Sequence, residues 1–99
     1  MSKPTKQILI PIFNGICYIC YDAKEFTDLT GEEIPPRTLA LTSRDKKFAI
    51  YLPDVAHLDH ELIHLTWFIL DHYSVKIDVD NHEMLPYLFE YLKSEIIKD

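Results

Sequence analysis

The feature that most constrains this chain is one long amphipathic segment, residues 55–73, in a polypeptide of only 99 residues. With His60 at zero and roughly 100° per residue, Leu58, Leu62, Leu65 and Ile69 fall at about 140–200°, and Ile63 and Leu70 at about 280–300°. That arc is wide enough to cover a sheet. A chain of this length buries roughly 65% of the surface its unfolded form exposes, enough for one core and no more. We therefore expect residues 1–99 to form a single domain built on this helix.

The two glycines organise much of the remainder. Asn14-Gly15 separates the apolar runs 8–13 and 16–21, and an Asn-Gly pair supplies the positive φ angles of a type I′ turn, so the first expected unit is a β-hairpin. Pro11 cannot donate to a ladder and pushes the first strand towards an edge or a bulge. Asp22 and Glu25 form a capping box and Gly31 fits a C′ position, which predicts a short helix over 23–30. Residues 38–42 and 47–52 flank the polar run SRDK and predict a second hairpin, whose strand 47–52 leads directly into the long helix and is expected at the sheet's edge. After the link SVKIDVD, Leu85, Leu88, Leu92 and Ile96 mark a last helix ending near Ile97. The expected fold class is α+β: a small antiparallel sheet from two hairpins, packed on the long helix and the C-terminal helix, in the order ββ-α-ββ-α-α.

The net charge of −6 argues against nucleic acid and against an anionic membrane surface as partners, since both select clustered cations. No apolar run is long enough to span a bilayer, and the interrupted apolar stretch after the first residues does not read as a secretory signal. Cys17 and Cys20, two cysteines in all, fit a reducing, cytoplasmic setting. Three apart on a strand they point to opposite faces, and no second CxxC exists to complete a four-cysteine metal site, so they are expected in the core.

The polar face of the long helix carries the chemistry. His57, His60, His64 and Asp71 fall within about 60° of one another on the same wheel. Residues 60–64 read HELIH. Two imidazoles four residues apart on one helix lie one above the other and can grip a tetrahedral ion from one side; Zn²⁺ suits neutral imidazole best. Glu61 then projects beside the metal, where it can take the proton of a metal-bound water without occupying a coordination position.

A catalytic zinc needs a third protein ligand. The candidates are Glu83, His82, His57 and Asp71. Glu83 is favoured, because an antiparallel last helix returns its first turn towards the metal helix and because a carboxylate completing two histidines is an established ligand set. The competing reading is a capping box, Asp80-x-x-Glu83, which would use the carboxylate on backbone amides. His57 sits one turn before His60 and suits the rim of the cleft. Asp71, two turns beyond His64, suits a hydrogen bond to a ligand or between helices. Tyr87 and Tyr91 follow Glu83 by four and eight residues; either can reach the cleft to stabilise an oxyanion, or serve as an amphipathic core edge.

HELIH, the 18 residues separating His64 from Glu83, and NHEMLPYL at 81–88 together resemble the gluzincin branch of the zincin metallopeptidases. The likeness is to the small, domain-minimal proteins encoded by bacteriophages and prophages. It covers most of the chain in layout and is specific from His60 to Leu92. The metzincin pattern of a glycine and a third histidine soon after HExxH is absent, since Leu70 and Asp71 follow instead, and Pro86 stands where such helices usually carry a small helix former. The resemblance implies a zincin-like fold, His60 and His64 as zinc ligands, Glu61 as catalytic base, Glu83 as third ligand, a peptide or protein substrate, and a bacterial host cytoplasm as the setting. Two alternatives stand beside a zinc peptidase. One is a non-enzymatic binding or inhibitor protein with a structural or vestigial zinc, whose acidic surface mimics nucleic acid. The other is a metal-dependent hydrolase of a non-peptide amide or ester.

Overall fold

A computed structural model describes residues 4–43 and 47–98. The elements are β1 (Lys6–Leu9), β2 (Ile16–Cys20), α1 (Ala23–Thr30), β3 (Leu41–Ser43), β4 (Phe48–Tyr51), α2 (Leu58–His72) and α3 (Met84–Ile97). The order ββ-α-ββ-α-α is the expected one. Of the polar run between β3 and β4, Arg44, Asp45 and Lys46 lie outside the described residues.

The sheet is mixed, not antiparallel throughout. Its strand order is β1-β2-β4-β3. β1 pairs β2 and β3 pairs β4 antiparallel, but β2 and β4 run parallel, with Tyr18 opposite Ala49 and Ile19 opposite Ile50. The cause is visible in β4. Ala49 and Ile50, adjacent and so pointing to opposite faces, are both fully buried, and a strand covered on both faces belongs in the interior of a sheet. β3, with Leu41 and Thr42 only half-buried, is left outside it. The strand expected at the edge, 47–52, is therefore central, and the edges are β1 and β3.

Each face has its own core. Ile8, Cys17, Ile19 and Ile50 meet α2 through Leu58, Leu62, Leu65 and Ile69, and α3 through Leu88, Leu92 and Ile96. On the opposite face Cys20 and Ala49 pack on Phe26 of α1. The two cysteines are thus free, buried and separated by the sheet. Burial pushes the Cys17 thiol up to about 12, and raises that of Cys20 as well. Neither is a metal ligand in waiting.

α1 has the predicted bounds. The Asp22 carboxylate accepts the amide of Glu25 at 3.1 Å, and Gly31 closes the helix at φ 76°. Glu25 instead accepts the Thr5 hydroxyl at 3.2 Å, tying α1 to the residue before β1.

The first hairpin departs from a two-residue turn. Ile10 donates to the Gly15 carbonyl at 2.7 Å, and the positive φ angles fall on Ile12 (73°) and Asn14 (58°), not on Gly15. Phe13 donates to Pro11 across Ile12, a tight three-residue turn. Gly15 is required for a different reason: a Cβ there would stand 2.5 Å from the Tyr73 hydroxyl. Tyr73 reaches this position from the end of α2, with its ring stacked on Phe13 at 4.4 Å and 8°.

α2 starts later than the periodicity alone indicates. The Asp54 carboxylate accepts the amide of Ala56 at 2.9 Å, and Val55–His57 form a 3₁₀ turn, so His57 precedes the α-helical face it was expected to share. The Asp59 carboxylate meets Lys93 Nζ at 3.1 Å. Only an antiparallel arrangement of α2 and α3 puts the start of one beside the last turns of the other. At β1, Lys6 Nζ donates to the carbonyl of Ile96 at 3.2 Å, anchoring the end of α3. No helix among the described residues is long and apolar enough to cross a membrane.

Two outcomes are expected of this packing. Gly15→Ala lowers stability by about 1–3 kcal/mol, because the added methyl overpacks the Tyr73 contact; Tyr73→Phe, which removes the clashing oxygen, recovers part of the loss in the double variant, as read by urea unfolding. Cys17 stays protonated in the folded chain to about pH 12 but ionises near its ordinary 9.0 when unfolded. Its contribution to stability is complete below that lower value and is lost as pH rises towards the upper one. Stability measured from pH 8 to about pH 11 falls less steeply in Cys17→Ala than in wild type; equal slopes would refute the assignment.

Candidate metal centre

The phase of α2 is set by Leu58, Leu62, Leu65 and Ile69, all buried against the sheet. With these pointing inward, His60 and His64 point away from the sheet on consecutive turns. Their ring centres are 4.9 Å apart and their planes cross at 76°. Two imidazoles sharing one tetrahedral ion, with metal–nitrogen bonds of about 2.0–2.1 Å, have ring centres roughly 5 Å apart. The spacing of the pair is compatible with one shared ion. The His60 side chain is 74% exposed, and the His64 ring lies against Phe68, 6.1 Å away and nearly parallel.

Glu61 turns to the side, not out to solvent. Its side chain is only 11% exposed, with Oε2 lying 3.9 Å from His60 Nε2. Its other oxygen, Oε1, accepts the Thr42 hydroxyl at 2.7 Å, and that hydroxyl also lies 3.1 Å from the Glu61 backbone carbonyl. The carboxylate is thus held between edge strand β3 and the first histidine. Thr42 was not foreseen from the sequence. Eighteen residues separate it from Glu61, and nothing in the sequence marks its hydroxyl apart from those of Thr38 and Ser43.

The remaining candidates are not gathered at this point. Glu83 occupies the cap position of α3 and makes no side-chain capping bond; its side chain is 83% exposed and its Oε1 lies 3.7 Å from His82 Nδ1. The Asp80–Glu83 capping box does not form. The turn is built by Asp78 and Asn81 instead, each side-chain oxygen accepting the other's amide, at 3.1 and 2.8 Å. Pro86 is accommodated as the third residue of α3, where no helical donor is needed. With Asp59 level with Lys93, the α3 residue level with position 62 is Glu90, and Glu83 lies near the level of 69. That is roughly 7–8 Å along the axis from His64. Among the described residues no three His, Cys, Asp or Glu side chains converge as a metal-binding group.

His57 is half-buried in the 3₁₀ turn and His82 is exposed. Asp71 lies on the exposed face of α2 and lines a surface cleft together with Trp67. Tyr87 is half exposed, whereas Tyr91 packs against the core.

The Thr42 contact has a measurable consequence. Thr42→Val keeps the shape but withdraws the donor from a nearly buried carboxylate, and is expected to cost about 1–3 kcal/mol in urea unfolding. Thr42→Ser retains most of the stability. A valine variant as stable as wild type would show that the bond contributes nothing.

Comparison with protein-family models, curated proteins and solved structures found no match.

Proposed function

We propose that this chain is a zinc-dependent peptidase of the HExxH type, in which His60 and His64 hold the metal, Glu61 is the catalytic base and Glu83 is the third ligand. The observation that carries the reading is the pair of exposed imidazoles with ring centres 4.9 Å apart, beside a carboxylate held in place. Zinc bound there would acidify a water and polarise a substrate carbonyl. Glu61 accepts the proton of the attacking water and passes it to the leaving amine. The Thr42 hydroxyl occupies Oε1 and leaves Oε2, the oxygen nearer His60, to do so. The absence of a capping bond on Glu83 leaves its carboxylate available as a ligand.

The substrate would be an extended peptide. β3 is the edge strand whose Thr42 touches Glu61, and a peptide adding beside it as a fifth strand would run close to that carboxylate. Strand 47–52, expected at the edge, is interior and offers no free edge to a peptide.

A non-enzymatic binding protein with a vestigial zinc site is the second reading. It is favoured by one observation, that Glu83 is exposed and away from the histidine pair.

Purified with zinc, the chain is expected to carry one equivalent by elemental analysis, and His64→Ala to lose it. Glu61→Gln is expected to keep the metal and to lose at least 100-fold in hydrolysis of an unfolded protein substrate. A wild type that binds no zinc would end both readings. Undiminished hydrolysis by Glu61→Gln would remove the assigned base, and stoichiometric zinc without any hydrolysis would select the binding protein.

A further inference from the structure

Beyond His64 the exposed face of α2 runs into a cleft of about 280 Å³ lined by Trp67, Asp71, Val75, Lys76, Ile77 and Asp78. The chain builds it by the way α2 ends. Ser74 takes a left-handed conformation at φ 59°. Its amide donates to the Asp71 carbonyl at 3.0 Å, and that of Val75 to the Leu70 carbonyl at 2.8 Å. These two bonds define a Schellman motif, which turns residues 75–78 back alongside the helix they have just left. Asp78 is then fixed by its turn: its Oδ1 accepts the amides of Asp80 and Asn81 at 2.9 and 3.1 Å.

We infer that this cleft is a specificity pocket for a lysine or arginine side chain of a bound peptide. Trp67, 46% exposed, together with Val75 and Ile77, offers an apolar and aromatic wall for the alkyl stem, and its ring attracts a cation over its face. Asp71 and Asp78 line the cleft as two acidic residues against the one cation of Lys76, Asp78 with one carboxylate oxygen engaged by its turn, and no ion pair among the described residues joins them. The C-terminal end of α2 adds its own partial negative charge. Asp71 stands seven residues beyond His64, roughly 10 Å along the axis, within reach of the long side chain of a residue lying near the histidines. Only that last placement rests on the peptidase reading. The pocket itself does not require a metal.

Trp67 is the chain's one tryptophan, so its fluorescence reports the cleft without any need for turnover. The experiment titrates metal-free full-length protein with N-acetylated, C-amidated Ala-Arg-Ala, Ala-Lys-Ala, Ala-Glu-Ala and Ala-norleucine-Ala. The arginine and lysine peptides are expected to give a saturable change, with affinity at least ten-fold above that for the glutamate and norleucine peptides. Asp71→Asn weakens arginine-peptide binding about five-fold or more, and Lys76→Gln strengthens it. No saturable response to the cationic peptides, equal responses to all four, or unchanged affinity in Asp71→Asn would overturn the inference. Zinc content and hydrolysis are read separately, so failure of the metal site leaves this result interpretable.

Discussion

Everything in this molecule hangs on the contact between α2 and the sheet. Leu58, Leu62, Leu65 and Ile69 are buried on Ile8, Cys17, Ile19 and Ile50, and a helix locked by four such side chains has no rotational freedom left. A rotation of about 100°, one residue's worth, would expose part of that stripe and turn the histidines towards the protein. Each of those side chains contributes about 1.5–3 kcal/mol of burial free energy. The core therefore orients the site, although the two share no atoms. It also explains why Glu61 differs from its neighbours: one step round the helix from His60, it falls at the margin of the sheet, where β3 offers the Thr42 hydroxyl.

The parallel pairing of β2 with β4 follows from the same economy of surface. Two hairpins laid side by side in chain order would put β3 beside β2 and leave β4 outside. β4 carries Ala49 and Ile50, which need cover from both faces, whereas β3 leaves Leu41 and Thr42 partly exposed, which suits an edge. Inserting β4 at the centre covers both faces, with α1 on one side and α2 with α3 on the other. This arrangement also delivers an edge strand to Glu61.

Local signals were legible wherever chemistry between near neighbours decides the structure. The Asp22 cap and the Gly31 stop gave α1 its bounds. Apolar spacing gave α2 its buried Leu58, Leu62, Leu65, Ile69 and Leu70 and α3 its Leu88, Leu92 and Ile96, whereas Ile63, expected in the same arc, is 49% exposed because it lies at the arc's margin, beyond the reach of the sheet. The opposed burial of Cys17 and Cys20 followed from strand alternation alone. What sequence could not reveal depends on long-range contacts or on a substitute for the usual residue. Gly15 reads as a turn glycine but answers to Tyr73, 58 positions away in the chain. Ser74 fills the left-handed position where a glycine is the expected marker, so the Schellman turn and the cleft behind it left no trace. Strand order differs from the expected one because alternation identifies strands, not their neighbours. Of the site, the histidine pair and its adjacent carboxylate were legible because the motif lies within a single helix. Thr42 was not, because it is brought there by the sheet.

The position of Glu83 reflects the same division. The register of α3 on α2 is held by Leu88 and Leu92 in the core and by Lys93 on Asp59, so sliding the helices past each other would break buried contacts along their length. The first turn of α3 is different: Glu83 is exposed, Met84 and Leu85 are half-buried, and Pro86 donates no backbone bond. Zinc captured by a small protein site releases on the order of 10 kcal/mol, far more than rearranging one partly exposed helical turn costs. If Glu83 joins the histidines on zinc, the movement is therefore confined to the turn built by Asp78 and Asn81 and the first residues of α3, with the rest of the helix pair left as it stands. That turn also carries Asp78, so metal capture at the histidines would be felt in the cleft beside Trp67.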